Sequence, residues 1–178
     1  MLYGDLVAAS QRTAATSKRS QKVGELAELL RVTPPAEIDA AIGLLIGEPR
    51  QGRVGVGWAT VSNLQVTPAD DSSLMIHDVD TTLTRLAAME GAGSQGERHR
   101  AMTALWAAAT DAEQNHLRRV LTGELRQGAN EGVVADAVAK ASGQPIVAVR
   151  RAAMLLGNLG AAAVRALPAS HSTSVSRR

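Results

Sequence analysis

Cysteine is absent from the 178-residue chain, and with it go disulfides, thiolate zinc sites and cysteine nucleophiles. That absence fits a reducing cytoplasm, where the chain is expected to reside. Phe is missing too, and Tyr3 is accompanied by only two tryptophans, so a core must be assembled from Leu, Val, Ile and Ala, a palette that favours packed helices. Lysine is scarce: Lys18, Lys22 and Lys140 are the only ones among 19 basic residues, and Arg supplies the rest. No apolar run is long enough to cross a membrane, and the opening MLYGDLVAASQRTAATSKRS lacks the apolar stretch of a signal peptide.

What is present suits one domain with a real core, since 45% of the residues are hydrophobic and only 20% are charged. Apolar residues recur with helical spacing. Between Thr16 and Arg31, Val23, Leu26, Ala27 and Leu30 fall on one face, with Lys18, Arg19 and Lys22 crowding the first turns. Thr33 is read as the N-cap of the next helix, with Pro34 at its first position and Gly47 at its end. A glycine-rich connection follows, holding one short helix near Trp58. Further helices are expected from Ile76 to Glu90, from a Ser94/Glu97 capping box, from a Thr110/Glu113 capping box to Gly123, from an Asn130 cap to Gly143, and from Pro145 onward. The predicted fold is all-α, roughly eight to ten helices in one domain over residues 1–167, with PASHSTSVSRR at 168–178 as a disordered tail.

Two short stretches match. Gly47–Gly52 reads GEPRQG and Gly123–Gly128 reads GELRQG, an offset of 76 residues. Sliding the chain by that offset places Leu26 on Met102, Leu29 on Leu105, Leu30 on Trp106, Glu37 on Glu113 and Leu45 on Leu121. The repeating unit is a helix, a turn, a second helix and a Gly-Glu-x-Arg-Gln-Gly exit, which predicts two equivalent halves with pseudo-twofold symmetry. Gly47 and Gly123 are explained first as helix C-caps. An arginine beside side-chain-free backbone also suits a polyanion, because the guanidinium and exposed N–H groups grip one phosphate together. For Arg126 the structural alternative is an ion pair with Glu124 or Glu131.

Other motifs carry less. GAGSQG at Gly91–Gly96 spells the dinucleotide fingerprint, but a helix precedes it where a strand is required. What remains is a glycine loop running into a helix start, either a phosphate seat or an ordinary turn. His77, His99, His116 and His171 have no metal-ligand spacing, and Asp70, Asp71, Asp78 and Asp80 are read as solvating a loop and starting a helix. No nucleophile, base and orienter set stands out, so no catalytic residue is assigned.

At GELRQGANEGVVADAVAKASG, residues 123–143, the chain resembles the N-terminal DNA-binding domain of actinobacterial, mycobacterial-type ATP-dependent DNA ligases. The likeness extends to AATSKRSQKVGELAELL, GEPRQGRVGVGWA, GAGSQGERHRAMTALWAAATDAEQNHLRRVL and VRRAAMLLGNLGAAAV, roughly Met1 to Leu167. It implies an all-helical, internally pseudo-twofold domain that binds the minor groove of nicked duplex DNA while nucleotidyltransferase and OB-fold domains close around it. It implies DNA contacts from Ser17, Lys18 and Arg19, from Gly93, Ser94 and Gln95, and from Gly123, Arg126, Gly128 and Asn130. Arg50 is added by the repeat.

The chain departs from the family in one respect. A ligase needs a K-x-D-G lysine to form its adenylate, whereas Lys18, Lys22 and Lys140 are followed by RS, VG and AS. The chain as given is therefore expected neither to adenylate itself nor to seal a nick, with ATP and Mg2+ implied only for catalytic domains outside it. The expectation is a monomeric, nucleoid-associated DNA-binding domain serving repair, replication or recombination. The competing readings are an α-helical protein-interaction scaffold and a helix-turn-helix regulator that reads bases in the major groove.

Overall fold

Helical periods become ten α-helices in the computed structural model, whose described residues are 1–91, 93–125 and 129–167. The tail expected at 168–178 lies outside the described residues. Among those residues no strand forms; the single β-bridge joins Leu2 to Met75. The helices are α1 (Tyr3–Ala15), α2 (Arg19–Val32), α3 (Ile38–Ile46), α4 (Trp58–Ser62), α5 (Ile76–Ala88), α6 (Ser94–Ala107), α7 (Asp111–Thr122), α8 (Glu131–Ser142), α9 (Ile146–Leu156) and α10 (Leu159–Ala166), with one 3-10 turn at Pro35–Glu37. α1 and α10 occupy stretches in which the periodicity reading assigns no helix.

Two start signals are corrected. Thr33 is the C-cap of α2, and its hydroxyl donates back to the Leu29 carbonyl at 2.8 Å. The cause is Pro34: the residue before a proline is driven out of the α region, and Thr33 has ψ 127°. The next helix therefore starts later, through a 3-10 turn with Pro35 at its first position. At Gly93 the backbone is left-handed, with φ 92°, and Gly93 takes the N-cap place that was assigned to Ser94. Ser94 becomes the first helical residue and makes no capping bond. Thr110 and Asn130 cap α7 and α8 as read, accepting from the N–H groups of Glu113 and Val133.

The core runs through both halves of the chain. Leu26, Leu30, Ile42 and Leu45 of the first half lie buried with Trp106, Leu117, Val134 and Val138 of the second. α2 makes the most extensive contact of any helix with α8. Arg19 at the start of α2 meets Gly132 and Asp136 near the start of α8, and Arg31 at its end donates to the Lys140 carbonyl, so the two helices run side by side in the same direction. α10 closes onto α3, where an added Cβ at Gly160 would lie 2.0 Å from Asp39 Oδ1.

In sequence α2, α3 and α4 fall on α6, α7 and α8 at the 76-residue offset, and α1 falls on α5 at 73. Contacts between halves come partly in exchanged pairs, α1 against α7 with α5 against α3, and α3 against α8 with α7 against α4. The segments that lead into α1 and α5 also trade backbone bonds, Tyr3 N–H to Leu74 O at 2.7 Å and Ile76 N–H to Met1 O at 3.0 Å. The exchange is incomplete, because α4 is five residues long and α8 is twelve.

Candidate nucleic-acid interface

Both repeated turns leave a helix through a left-handed glycine. Gly47 has φ 78° and Gly123 has φ 72°, and the following amides close the same bond, Glu48 N–H to Gly43 O at 2.8 Å and Glu124 N–H to Arg119 O at 2.9 Å. The capping explanation for these glycines therefore holds. It is not their whole role. A Cβ built on Gly47 would lie 3.0 Å from Leu125 Cβ and 3.6 Å from Leu125 O, so the two turns, 76 residues apart in sequence, are packed on one another.

Around that contact a cleft of about 630 Å³ opens, lined by Gly47, Pro49, Arg53, Gly123, Glu131 and Asn158 among others. A second groove of about 420 Å³ continues from Gly52 and Arg53 along residues 54–57 to Val120 and Leu121. Gly52, Gly57, Gly123 and Gly93 each have open space where a side chain would point, so their backbone is accessible.

The residues read as DNA contacts outside the turns fall into two arms, one at the start of α2 and one at the start of α6. In one, the exposed Ser17, Lys18 and Arg19 begin α2 beside the start of α8, where Arg19 donates to the Gly132 carbonyl at 3.2 Å and to Asp136 at 2.6 Å, and Asn130 caps the helix. In the other, Gly93, Ser94 and Gln95 begin α6. One turn on, Arg98 donates to Gly55 O at 2.7 Å, to Val54 O at 3.3 Å and to Met89 O, which ties this arm to the loop at 54–57. The repeat relates the arms, since Ser17, Lys18 and Arg19 fall on Gly93, Ser94 and Gln95 at the 76-residue offset. Arg126 and Gly128 lie outside the described residues.

Arg50 is placed differently from the expectation of a free phosphate grip. Its Nε and Nη2 donate to the two Asp80 oxygens at 2.7 and 2.6 Å, and Gln51 adds a bond to Asp80 at 2.7 Å. Burial alone would raise the Asp80 carboxyl, but the bonds from Arg50 and Gln51 hold it below the usual carboxylate range. The same bond raises Arg50 further into its charged form. Asp80, read as part of a solvated helix start, is thus a clamp on the first turn. Two of the five guanidinium N–H groups are used, and the Arg50 side chain remains 43% exposed.

A buried polar cluster lies at the start of α7. Glu113 is fully buried and accepts from Ser72 Oγ at 2.5 Å and from Thr110 N–H at 2.8 Å. Beside it the Tyr3 hydroxyl and His116 Nδ1 share a hydrogen bond at 2.5 Å. Burial, aided by the Arg119 charge, lowers His116 to about 4, so the ring is neutral. Nothing in local sequence marks Glu113 as a core residue, because a capping glutamate is normally solvated. Among the described residues no group of three His, Cys, Asp or Glu is placed to hold a metal.

Among the described residues, fold and site together define an all-helical domain with a glycine-edged cleft and an exposed basic start to α2. The chain is similar to DNA ligase N-terminal domains: residues 58–139 match the family described as DNA ligase N terminus. It is 51% identical over 167 residues to a probable DNA ligase of Pseudarthrobacter chlorophenolicus, covering 94% of this chain and 33% of that protein. It is 48% identical over 167 residues to a probable DNA ligase of Nocardia farcinica, covering 94% and 32%. A probable DNA ligase of Rhodococcus jostii is 45% identical over 166 residues, covering 93% and 33%. The chain spans about one third of the length of the curated relatives it matches.

Proposed function

We propose that the chain is the duplex-DNA-binding domain of an ATP-dependent DNA ligase and holds the minor-groove face of a nicked duplex through its backbone, without reading sequence. One observation carries this: the two glycine turns meet at Gly47 and Leu125, and their glycine backbone at Gly52 and Gly123 is open. Accessible backbone N–H groups and arginines in pairs suit two phosphate tracts, because the strands of a duplex are themselves related by a local dyad. Ser17, Lys18, Arg19 and Asn130 serve one tract, and Gly93, Ser94 and Gln95 the other; Gly123, Arg126 and Gly128 are assigned further contacts. Arg50 contributes through the outer edge of a guanidinium already anchored to Asp80. The domain acts as a monomer within the ligase.

The residues here do not fit the ATP and Mg2+ chemistry of the parent activity. Lys18, Lys22 and Lys140 stand outside a K-x-D-G motif, and no carboxylate cluster is formed among the described residues. That chemistry is assigned to nucleotidyltransferase and OB-fold domains, for which this domain holds the substrate.

Fluorescence anisotropy with a nicked duplex at stepped salt concentrations tests the reading. Neutralising about five phosphates gives a log–log slope of about −4 to −5. Arg126→Ala should weaken binding equally across unrelated sequences. A salt-independent affinity, or a strong preference for one sequence, overturns it.

A further inference from the structure

Trp58 is 65% exposed, whereas Trp106, the only other tryptophan, is fully buried in the core. An indole at the surface of a chain that has no Phe and one Tyr is an unusual use of a scarce residue. Its surroundings are built rather than loose. Gly55, in a left-handed conformation with φ 68°, presses against Arg98, and that arginine bonds the carbonyls of Val54, Gly55 and Met89. The loop that carries Trp58 is therefore fastened to the start of α6. It also forms the wall of the groove that runs from the first glycine turn through Arg53, which has no ion-pair partner among the described residues.

The repeat sharpens the comparison. At the 76-residue offset Gly55 to Trp58 falls on Glu131 to Val134, the start of α8 beside Asn130. Val134 is fully buried, so the second half uses this position for its core. In the first half the equivalent residue is large, aromatic and turned to solvent, and it directly follows Gly57, the last residue of the groove wall that includes Arg53.

We propose that Trp58 is a DNA-contacting side chain that lays its indole against the sugar and base edges of the duplex beside a phosphate held by Arg53. An aromatic at the edge of a cationic groove gains by stacking or edge contact with any base and so adds affinity without sequence preference. This rests on the duplex-binding reading above, and it adds a contact that the glycine turns do not supply.

The test uses the full chain and a nicked duplex. Because Trp106 is buried, iodide quenching of the free protein reports Trp58. Saturating DNA is expected to abolish most of that quenching. In anisotropy Trp58→Ala should bind about tenfold more weakly, and Trp58→Phe should stay within about threefold of the parent. Thermal melting of both variants should match the parent, since the side chain is exposed. Normal DNA binding with iodide quenching unprotected and Trp58→Ala unimpaired overturns the role of Trp58 alone. Failure of the parent chain to bind duplex at low salt overturns the DNA-binding reading itself.

Discussion

Gly47 and Gly123 share a left-handed backbone, yet a methyl group meets different surroundings at each. At Gly123 nothing lies within 4 Å of an added Cβ, so alanine there should cost only the conformational penalty, about 1 kcal/mol. At Gly47 the same penalty is joined by the 3.0 Å approach to Leu125 Cβ, and the cost should rise to about 2 kcal/mol, with weaker DNA binding because the second turn must shift. Urea denaturation ranks the two variants, and equal costs would mean that the turns do not touch. His116 sets a different dependence. Its folded value near 4 lies below the ordinary 6.5, so the unfolded chain takes up the proton first as pH falls. Above pH 6.5 the group costs nothing, and between 6.5 and 4 the fold should lose about 3 kcal/mol. Tyr3 stays protonated throughout, since burial and then Glu113 raise it well above its ordinary range. Asp80 adds to acid sensitivity lower down, because the stability from a depressed carboxylate is lost as pH falls through its folded value. Urea midpoints at stepped pH should show the His116 slope, and His116→Gln should flatten it.

Helix starts show how much one neighbouring residue decides. Thr110 and Ser94 stand in the same pattern, Ser/Thr-x-x-Glu, but only Thr110 caps, with its hydroxyl oxygen accepting from the Glu113 N–H at 3.4 Å. Thr110→Ala should therefore cost about 1 kcal/mol, while Ser94→Ala should be close to neutral in stability and visible only in DNA affinity. Thermal melting and anisotropy on the same two proteins separate those effects. The difference was not legible in the pattern itself, because it lies in Gly93, which can take the left-handed conformation and shift the start by one residue. Elsewhere local signals were sufficient: Asn130, Gly47, Gly123 and Gly143 bound their helices where expected. α1 escaped the periodicity reading because its buried face includes Ser10 and Thr13, polar residues that break the apolar period. Thr13 is accommodated by donating to the Ala9 carbonyl at 2.8 Å.

Across the whole molecule, the repeat was visible in sequence only where glycines anchored it. The offset of 76 aligns α2 with α6 and α3 with α7, but α1 and α5 align at 73, Tyr3 with Ile76 and Leu6 with Val79, and no shared motif marks that shorter register. Nor could any pattern say that Arg50 would find Asp80, since that pairing is made by packing α3 against α5. Because α2 is buried along α8 and α1 against α7, neither half has a closed core of its own. A fragment of residues 1–70 should be unfolded by circular dichroism, and adding residues 71–167 should restore helix; an independently folded fragment would contradict the shared core. The touching turns then acquire a mechanical meaning. With Gly47 seated on Leu125 there is no linker between the two turns, so under the proposed function the separation of their phosphate contacts is fixed by atomic contact as the jaws of a gauge are fixed by their frame. On that proposal, a duplex whose groove matches the gap should be held without deformation, and one whose groove does not should itself be bent to fit.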